Sequence, residues 1–444
     1  KGMKNKSETL VYLGKVLEGK YEKEPYIGIY KIVEQNSGMY TKTSLSKEYN
    51  LSLSSINTML KYGFLTSQEQ IVNRYNTRQY DIYSKKVLNE EQQKAVDEIL
   101  GSDRKTYLIH GVTGSGKTEI YMHLVSEMIK KDKESIILVP EIALTPQMVE
   151  RFKGRFGGNI SVFHSKLSDG ERYDEWLRVK MGKVKVAIGA RSAIFLPFKN
   201  LGLIVIDEEH EGSYKSDSNP KYNAREIGEL KCNIENCKLV LGSATPSIET
   251  YYKCKKDKFK LISIKNRADG AIMPEVEIID MREELLSNNK SIFSKSLHKA
   301  IEDRLAKKEQ IILFLNRRGH STFVSCRKCG FVFKCNNCDI SLTYHSEGRK
   351  LVCHYCGSKH YIPNTCPKCG SKYVKYFGIG TEKIEQEINK IFPSARTLRM
   401  DFDTTRGKNS YEEIYETFKN GEADILIGTQ MVAKGLDFKN VTLV

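Results

Sequence analysis

The sequence holds no run of about 18 apolar residues, the length a membrane-spanning helix needs. It shows no secretory signal pattern, no internal repeat and no low-complexity tract. Acidic residues are short as well, with 55 Asp and Glu against 71 Lys and Arg and a formal charge of +16. Such an excess favours a polyanionic partner: nucleic acid first, an acidic lipid surface as the alternative. The expectation is a soluble cytoplasmic protein. At 444 residues the chain is long enough for two or three domains with full cores.

The rest is organised around Gly111-Val112-Thr113-Gly114-Ser115-Gly116-Lys117-Thr118. Lys105 to His110 reads as a short buried strand and Glu119 to Ile129 as an amphipathic helix, so the glycines lie on a strand-to-helix turn. A phosphate loop belongs there, because its backbone N–H groups turn inward around a polyphosphate and the new helix points its positive end at the same anion. Lys117 then reaches the β- and γ-phosphates, and Thr118 holds Mg²⁺. Asp207 and Glu208 end the run Leu203 to Ile206, which has the pattern of a parallel strand covered on both faces. Asp207 can ligate the Mg²⁺ of ATP, and Glu208 can orient and deprotonate the attacking water. Gln92, upstream, carries an amide that can pair both edges of an adenine.

Residues 1–84 differ in pattern from the remainder of the chain. Leu10 to Leu17, Ser44 to Tyr49 and Leu53 to Tyr62 read as three short helices, followed by a strand at Gln70 to Tyr75. Three helices and a ribbon are the order of a winged-helix domain, whose third helix is either a DNA reader or a contact for another protein or domain. Beyond the phosphate helix, buried strands at Ser135 to Pro140 and Val184 to Ile188 end in polar loops. Thr145, Arg191 and Ser192 in those loops are candidate phosphate contacts for a strand of nucleic acid. Tyr214, Lys215, Lys221, Tyr222 and Arg225 then interleave aromatics with cations, a pattern suited to stacking on bases beside phosphate contacts. Residues 255–300 read as connection plus a helix. A second α/β lobe starts at Ile311 to Leu315, with Arg317 at that strand's end, strands near 397–400, 424–428 and 441–444, and helices at 381–391 and 411–419.

Eight of the 11 cysteines form four C-x-x-C pairs inside that second lobe. Each pair presents two thiolates, and Zn²⁺ takes four in a tetrahedron, so the eight make two closed structural sites. Fourteen residues separate Cys338 from Cys353 but only five separate Cys329 from Cys335. The longer span suits a zinc ribbon, which puts Cys335, Cys338, Cys353 and Cys356 in one site and Cys326, Cys329, Cys366 and Cys369 in the other. An iron–sulfur cluster or redox dithiols is the alternative. His345, His354 and His360 read as surface residues, and Cys232, Cys237 and Cys254 as free thiols.

With Gly111 to Tyr121 (GVTGSGKTEIY), Asp207 to His210 (DEEH), Gly242 to Ser247 (GSATPS) and Gly428 to Phe438 (GTQMVAKGLDF), the chain resembles the superfamily 2 helicases. The eight-cysteine insertion makes it similar to the primosomal replication-restart helicases among them. The resemblance implies an α/β fold of two RecA-like doubly wound lobes. Residues 1–84 would be a winged-helix domain, 85–265 the ATP-binding lobe and 266–320 the connection and start of the second lobe. Residues 321–375 would be the two-zinc insertion and 376–444 the rest of that lobe. It implies a 3′-to-5′ ATP-driven translocase on single-stranded and forked DNA, dependent on ATP, Mg²⁺ and two Zn²⁺. Partners would be primosome and helicase-loading proteins and single-stranded-DNA-binding protein, in the bacterial cytoplasm at the nucleoid. A fork-binding recruitment module with a silent motor is the competing reading, and an RNA helicase a third.

By match to the family's motifs, Gln92 is the adenine contact, while His210 and Thr245 couple ATP state to DNA. Thr429, Gln430 and Lys434 would touch DNA, and Gly435 and Asp437 the nucleotide. The segment Tyr214 to Arg225 matches an aromatic-rich loop, with Pro220 where some members carry Trp, so stacking rests on Tyr214 and Tyr222. The family's 3′-end-binding domain and its last arginine-bearing motif have no counterpart here. The expectation is therefore a fragment that binds ATP and DNA and hydrolyses ATP poorly.

Overall fold

The computed structural model describes the chain except residues 1–6, 72–80, 141–144, 166, 269, 271–273, 316–321, 346–349, 362, 378–379, 402, 406, 408–409, 433–435 and 437. Compactness divides it into two units. One comprises Lys1–His110, Thr118–Leu138 and Lys153–Ile262; the other comprises Gly111–Lys117, Val139–Phe152 and Ser263–Val444.

The first unit opens on strand β1 (Ser7–Leu13), helices α1 (Tyr26–Gln35), α2 (Lys42–Glu48) and α3 (Leu53–Lys61), and strand β2 (Leu65–Ile71). A capping box starts α2: the Thr41 hydroxyl accepts the Ser44 N–H at 3.1 Å, and the Ser44 hydroxyl accepts the Thr41 N–H at 2.8 Å. Val11, Ile29, Val33, Leu45, Ile56, Met59, Phe64 and Leu65 form one small core. The helix expected at Leu10 to Leu17 is corrected. Ser7–Leu13 pairs antiparallel with β2 over its whole length, Ser7 opposite Ile71 and Leu13 opposite Leu65, so distant pairing overrides local pattern. The first helix comes later, at Tyr26. Of the ribbon expected at 70–75, only residues 70 and 71 lie within the description.

Next come α4 (Glu90–Gly101), β3 (Thr106–Gly111), α5 (Lys117–Lys130), β4 (Glu134–Leu138), α6 (Pro146–Phe156), β5 (Ile160–Phe163), α7 (Asp169–Lys180), β6 (Val186–Gly189), β7 (Leu201–Asp207), α8 (Ala224–Glu235), β8 (Lys238–Ser243), α9 (Ile248–Lys255) and β9 (Lys260–Ile264). The seven strands make one sheet in the order β5-β6-β4-β7-β8-β3-β9. β5 through β3 run parallel to their neighbours, so their carboxyl ends share one edge. Leu203, Ile204, Val205 and Ile206 are all wholly buried, which requires cover on both faces. β9 falls in the stretch read from sequence as connection.

In the second unit, α10 (Met281–Leu286), α11 (Lys295–Ala306) and β10 (Gln310–Phe314) precede an insertion of β11 (Thr322–Cys326), β12 (Thr343–His345), β13 (Lys350–Val352), β14 (Lys359–Tyr361) and β15 (Val374–Phe377). The lobe resumes with α12 (Thr381–Ile391), β16 (Thr397–Met400), α13 (Ser410–Lys419), β17 (Ile425–Gly428) and β18 (Val441–Leu443). Its sheet is parallel, in the order β16-β17-β10-β18. The insertion folds as a separate antiparallel sheet, β14-β13-β12-β11-β15, and its ends meet where β11 pairs with β15. Buried Arg327 donates to the carbonyls of Asn289, Lys290 and Ser291, fixing the insertion against the corner between α10 and α11.

Candidate nucleotide site and metal centres

The loop Gly111 to Lys117 joins β3 to α5. Gly114 and Gly116 adopt φ of 78° and 79°, the left-handed region that suits glycine, and so turn the loop's N–H groups. The buried Lys117 ammonium donates to the Gly111 carbonyl at 2.8 Å, which holds it over the loop. The segment after β9 braces the same loop, with Val112 N–H donating to Ile264 O (3.3 Å) and Ala268 N–H donating to Gly114 O (2.9 Å). Val112 and Thr113 are exposed at the tip. Gln92 is buried, and its side-chain oxygen accepts the Asn89 N–H at 3.0 Å in the capping box that opens α4.

Asp207 ends β7 and is tied to α5. Tyr121, one turn beyond Lys117, donates from its phenol to Asp207 Oδ1 at 2.9 Å. Burial, with the Asp207 carboxylate beside it, pushes the Tyr121 phenol well above its usual range, so it stays a donor. A Cβ at Gly242 has no room beside that phenol, which explains the glycine opposite Asp207 in β8. Glu208 takes a φ of 46°, uncommon for a residue with a side chain, and is half-exposed. Strained backbone of this kind marks a position that its surroundings dictate.

From the same turn a polar relay leads to β8. His210 Nδ1 lies 2.8 Å from Ser243 Oγ, which accepts the Thr245 N–H at 2.9 Å. The third carboxylate, Glu209, is wholly buried. It receives Arg225 Nη1 (2.8 Å), Ser247 N–H (2.6 Å), Ser247 Oγ (3.0 Å) and Thr250 Oγ1 (2.9 Å), while its own N–H donates to Gly242 O (3.0 Å). A buried charge needs this many partners. Tyr121, Ser243 and the Glu209 cluster were not singled out from sequence. Tyr121 had a signal, since it sits four residues after Lys117 and so on the same helix face.

Several candidate DNA contacts are corrected. Tyr214 is 1% exposed and donates to Leu138 O (3.1 Å) and Asp207 O (2.6 Å), so it is part of the core and offers no face to a base. Arg225 is committed to Glu209 and Ser247. The Thr145 side chain is buried and its hydroxyl accepts the Met148 N–H, capping α6. Arg191 donates to the carbonyls of Ser213 and Lys215 and lies over the Tyr222 ring, which packs edge-on against Phe195. Thr429 is buried, whereas Ser192, Lys215, Thr245 and Gln430 are exposed. Arg317, Lys434, Gly435 and Asp437 lie outside the described residues.

The eight cysteines of the insertion gather into the two sets argued from loop length, Cys326/Cys329/Cys366/Cys369 and Cys335/Cys338/Cys353/Cys356. Their sulfurs lie within 4.8 Å of one another, with Cys326–Cys369, Cys329–Cys366 and Cys335–Cys356 each at 3.6 Å. A tetrahedron with Zn–S bonds of ~2.3 Å has edges of ~3.8 Å, so the donors fit zinc. All four knuckles share one design. The residue after the second cysteine (Gly330, Asp339, Gly357, Gly370) is left-handed, and its N–H returns to the carbonyl of the first at 2.8–2.9 Å. Neither cluster includes a histidine among the described residues. Cys232 and Cys237 are joined as a disulfide, against the expectation of free thiols, because left-handed Asn236 turns the chain back at the end of α8. Burial pushes the Cys254 thiol up to about 11.

Residues 89–253 match the DEAD/DEAH box helicase family, and residues 335–360 match the PriA DNA helicase Cys-rich region domain. The replication restart protein PriA of Bacillus subtilis is 50% identical over 406 residues, which cover 90% of this chain and 50% of that protein. PriA of Synechocystis is 41% identical over 424 residues, 93% of this chain and 51% of that one. PriA of Chlamydia pneumoniae is 42% identical over 425 residues, 94% and 57%. The chain spans about half the length of the relatives it matches. A phosphate loop and DEEH carboxylates on one parallel sheet, with a two-site cysteine insertion in a second, are thus matched by whole-chain similarity, and the chain belongs to the PriA family of helicases.

Proposed function

We propose that this chain carries the motor of a 3′-to-5′ DNA helicase that acts on abandoned replication forks and starts replication restart. The observation that carries the reading is Asp207, at the end of a parallel strand, hydrogen-bonded by a tyrosine on the helix that the phosphate loop opens. ATP binds at that loop: Gln92 takes the adenine, and the N–H groups of 111–118 with Lys117 take the phosphates. Thr118 and Asp207 hold Mg²⁺, which would neutralise charge on the phosphates. Glu208, half-exposed, orients the attacking water and takes its proton. His210, Ser243 and Thr245 pass the state of this site to the exposed loop after β8.

DNA is held through the exposed Ser192, Lys215 and Gln430, with Lys434 and Arg317 as further cations. The Tyr222 ring, already under Arg191, positions that loop. The three helices and ribbon at the N-terminus serve as a winged-helix domain for the fork. Two Zn²⁺ are structural in the insertion. Helicase loaders, primosome proteins and single-stranded-DNA-binding protein are the partners, in the cytoplasm at the nucleoid.

The test is ATP hydrolysis by the full-length protein with and without single-stranded DNA, beside a Lys117→Ala variant. Strong stimulation by DNA and none in the variant supports the motor. Fork binding with no stimulation in either supports a recruitment module instead, a reading favoured by the exposed Tyr355 and Tyr361 on the basic cysteine insertion. Equal stimulation by RNA would move the protein to the RNA helicases.

A further inference from the structure

Residues 81–86, which enter the motor from the N-terminal helices, are tied down by main-chain bonds although their side chains are largely exposed. Tyr83 N–H donates to Gly154 O on α6 at 3.1 Å, and a Cβ on Gly154 would collide with the Asp81 carbonyl. Lys86 uses both main-chain groups on α5: its N–H donates to Glu119 Oε1 at 3.3 Å, and its carbonyl faces His123 Nε2 at 3.0 Å. Arg155 of α6 closes the set, donating to Glu119 Oε1 at 2.8 Å and to the Ser84 carbonyl at 3.4 Å. The side chains of Arg155, Glu119 and His123 are only 6%, 10% and 10% exposed, so the ion pair is screened from water. The main chain of the connection thus sits on buried charges. An ordinary connection has no need of them.

Glu119 lies two residues past Lys117, in the first turn of α5. The carboxylate that seats the connection therefore belongs to the turn that would face the phosphates. α6 is the helix that Thr145 caps. We infer that residues 81–86 are a strap coupled to the nucleotide site, with Glu119 and Arg155 as positioning residues. The inference rests on the nucleotide reading of the loop. Nucleotide fixes the first turn of α5, the fixed turn holds Glu119 under Lys86, and the strap seats. By reciprocity, a seated strap raises nucleotide affinity by the same factor.

The experiment reads amide hydrogen exchange at Tyr83 and Lys86 in the full-length protein with and without Mg-ADP, together with titration of a fluorescent ADP analogue. In the wild type, nucleotide slows exchange at both amides by about tenfold, within the usual range of such coupling. Arg155→Met frees the amides, weakens ADP binding by about five- to tenfold and abolishes the slowing, while Arg155→Lys restores part of each. Glu119→Gln repeats the result should Arg155→Met fold poorly. Exchange at Tyr83 and Lys86 that ignores nucleotide in the wild type overturns the strap. So does a variant with freed amides and undiminished ADP affinity. A Lys117→Ala variant that still binds ADP normally would instead overturn the nucleotide site itself.

Discussion

The seven-stranded sheet and the cysteine insertion both fix loops at the ends of strands, and they do it by opposite means. In the sheet, Leu108, Ile109, Ile136, Leu138, Ile204, Ile206 and Val240 are fully buried, and this apolar burial, with hydrogen bonds such as Val112 N–H to Ile264 O and Tyr121 to Asp207, holds the phosphate loop and the DEEH turn in place. The insertion has strands of three to five residues and a core of Val324, Phe333, Leu342 and Leu351 completed by two of its own ligands, Cys335 and Cys353. So small a core needs a staple. The difference lies in what each scaffold should need: the sheet is expected to stand without zinc, whereas the insertion is expected to fold only when its thiolates are neutralised.

The largest expected effect breaks that contrast directly. Chelation of zinc, or Cys353→Ser at one site, removes on the order of 10 kcal/mol of folding energy per site from the insertion. Amide protection across 322–377 should vanish while that of β3, β7 and β8 stays. Loss of protection in both regions would mean that the sheet depends on metal too. Next come two adjacent glutamates with different duties. Glu208→Gln should lower ATP turnover by about 10²- to 10⁴-fold and leave nucleotide binding and melting temperature alone. Glu209→Gln, which strips Arg225 of its buried partner, should cost about 3–5 kcal/mol of stability, seen in denaturant melts. Tyr121→Phe removes one hydrogen bond to a carboxylate, worth about 1.5–3 kcal/mol, and should raise the Mg²⁺ needed for half-maximal turnover several-fold. Asn89→Ala, at the start of α4, should cost only about 1 kcal/mol in the melt.

What could be read from the sequence depends on the range of the interactions involved. The phosphate loop, the run ending at Asp207 and the four knuckles are set by residues within a few positions of one another, and each was legible. The zinc pairing was legible too, because loop length limits which knuckles can meet. β1 was not, since Ser7–Leu13 is a strand only by pairing with residues more than fifty positions away. Burial of Tyr214 was hidden for a similar reason. Its hydroxyl reaches Leu138, on a strand far back in the chain, and composition cannot tell a stacking tyrosine from a core one. The fates of Arg191 and Arg225 depend on partners brought close by β7 and α8, and a run of cations and aromatics reads the same whether its charges are spent inside or offered outside.

The central claim is that the carboxylate turn on the parallel sheet drives hydrolysis in response to DNA. Its most direct test is steady-state ATP turnover of the full-length Glu208→Gln protein beside wild type, with and without single-stranded DNA, at matched nucleotide occupancy. The account predicts DNA-stimulated turnover in the wild type and its loss in the variant with ADP affinity unchanged. A variant that keeps DNA-stimulated turnover would contradict it.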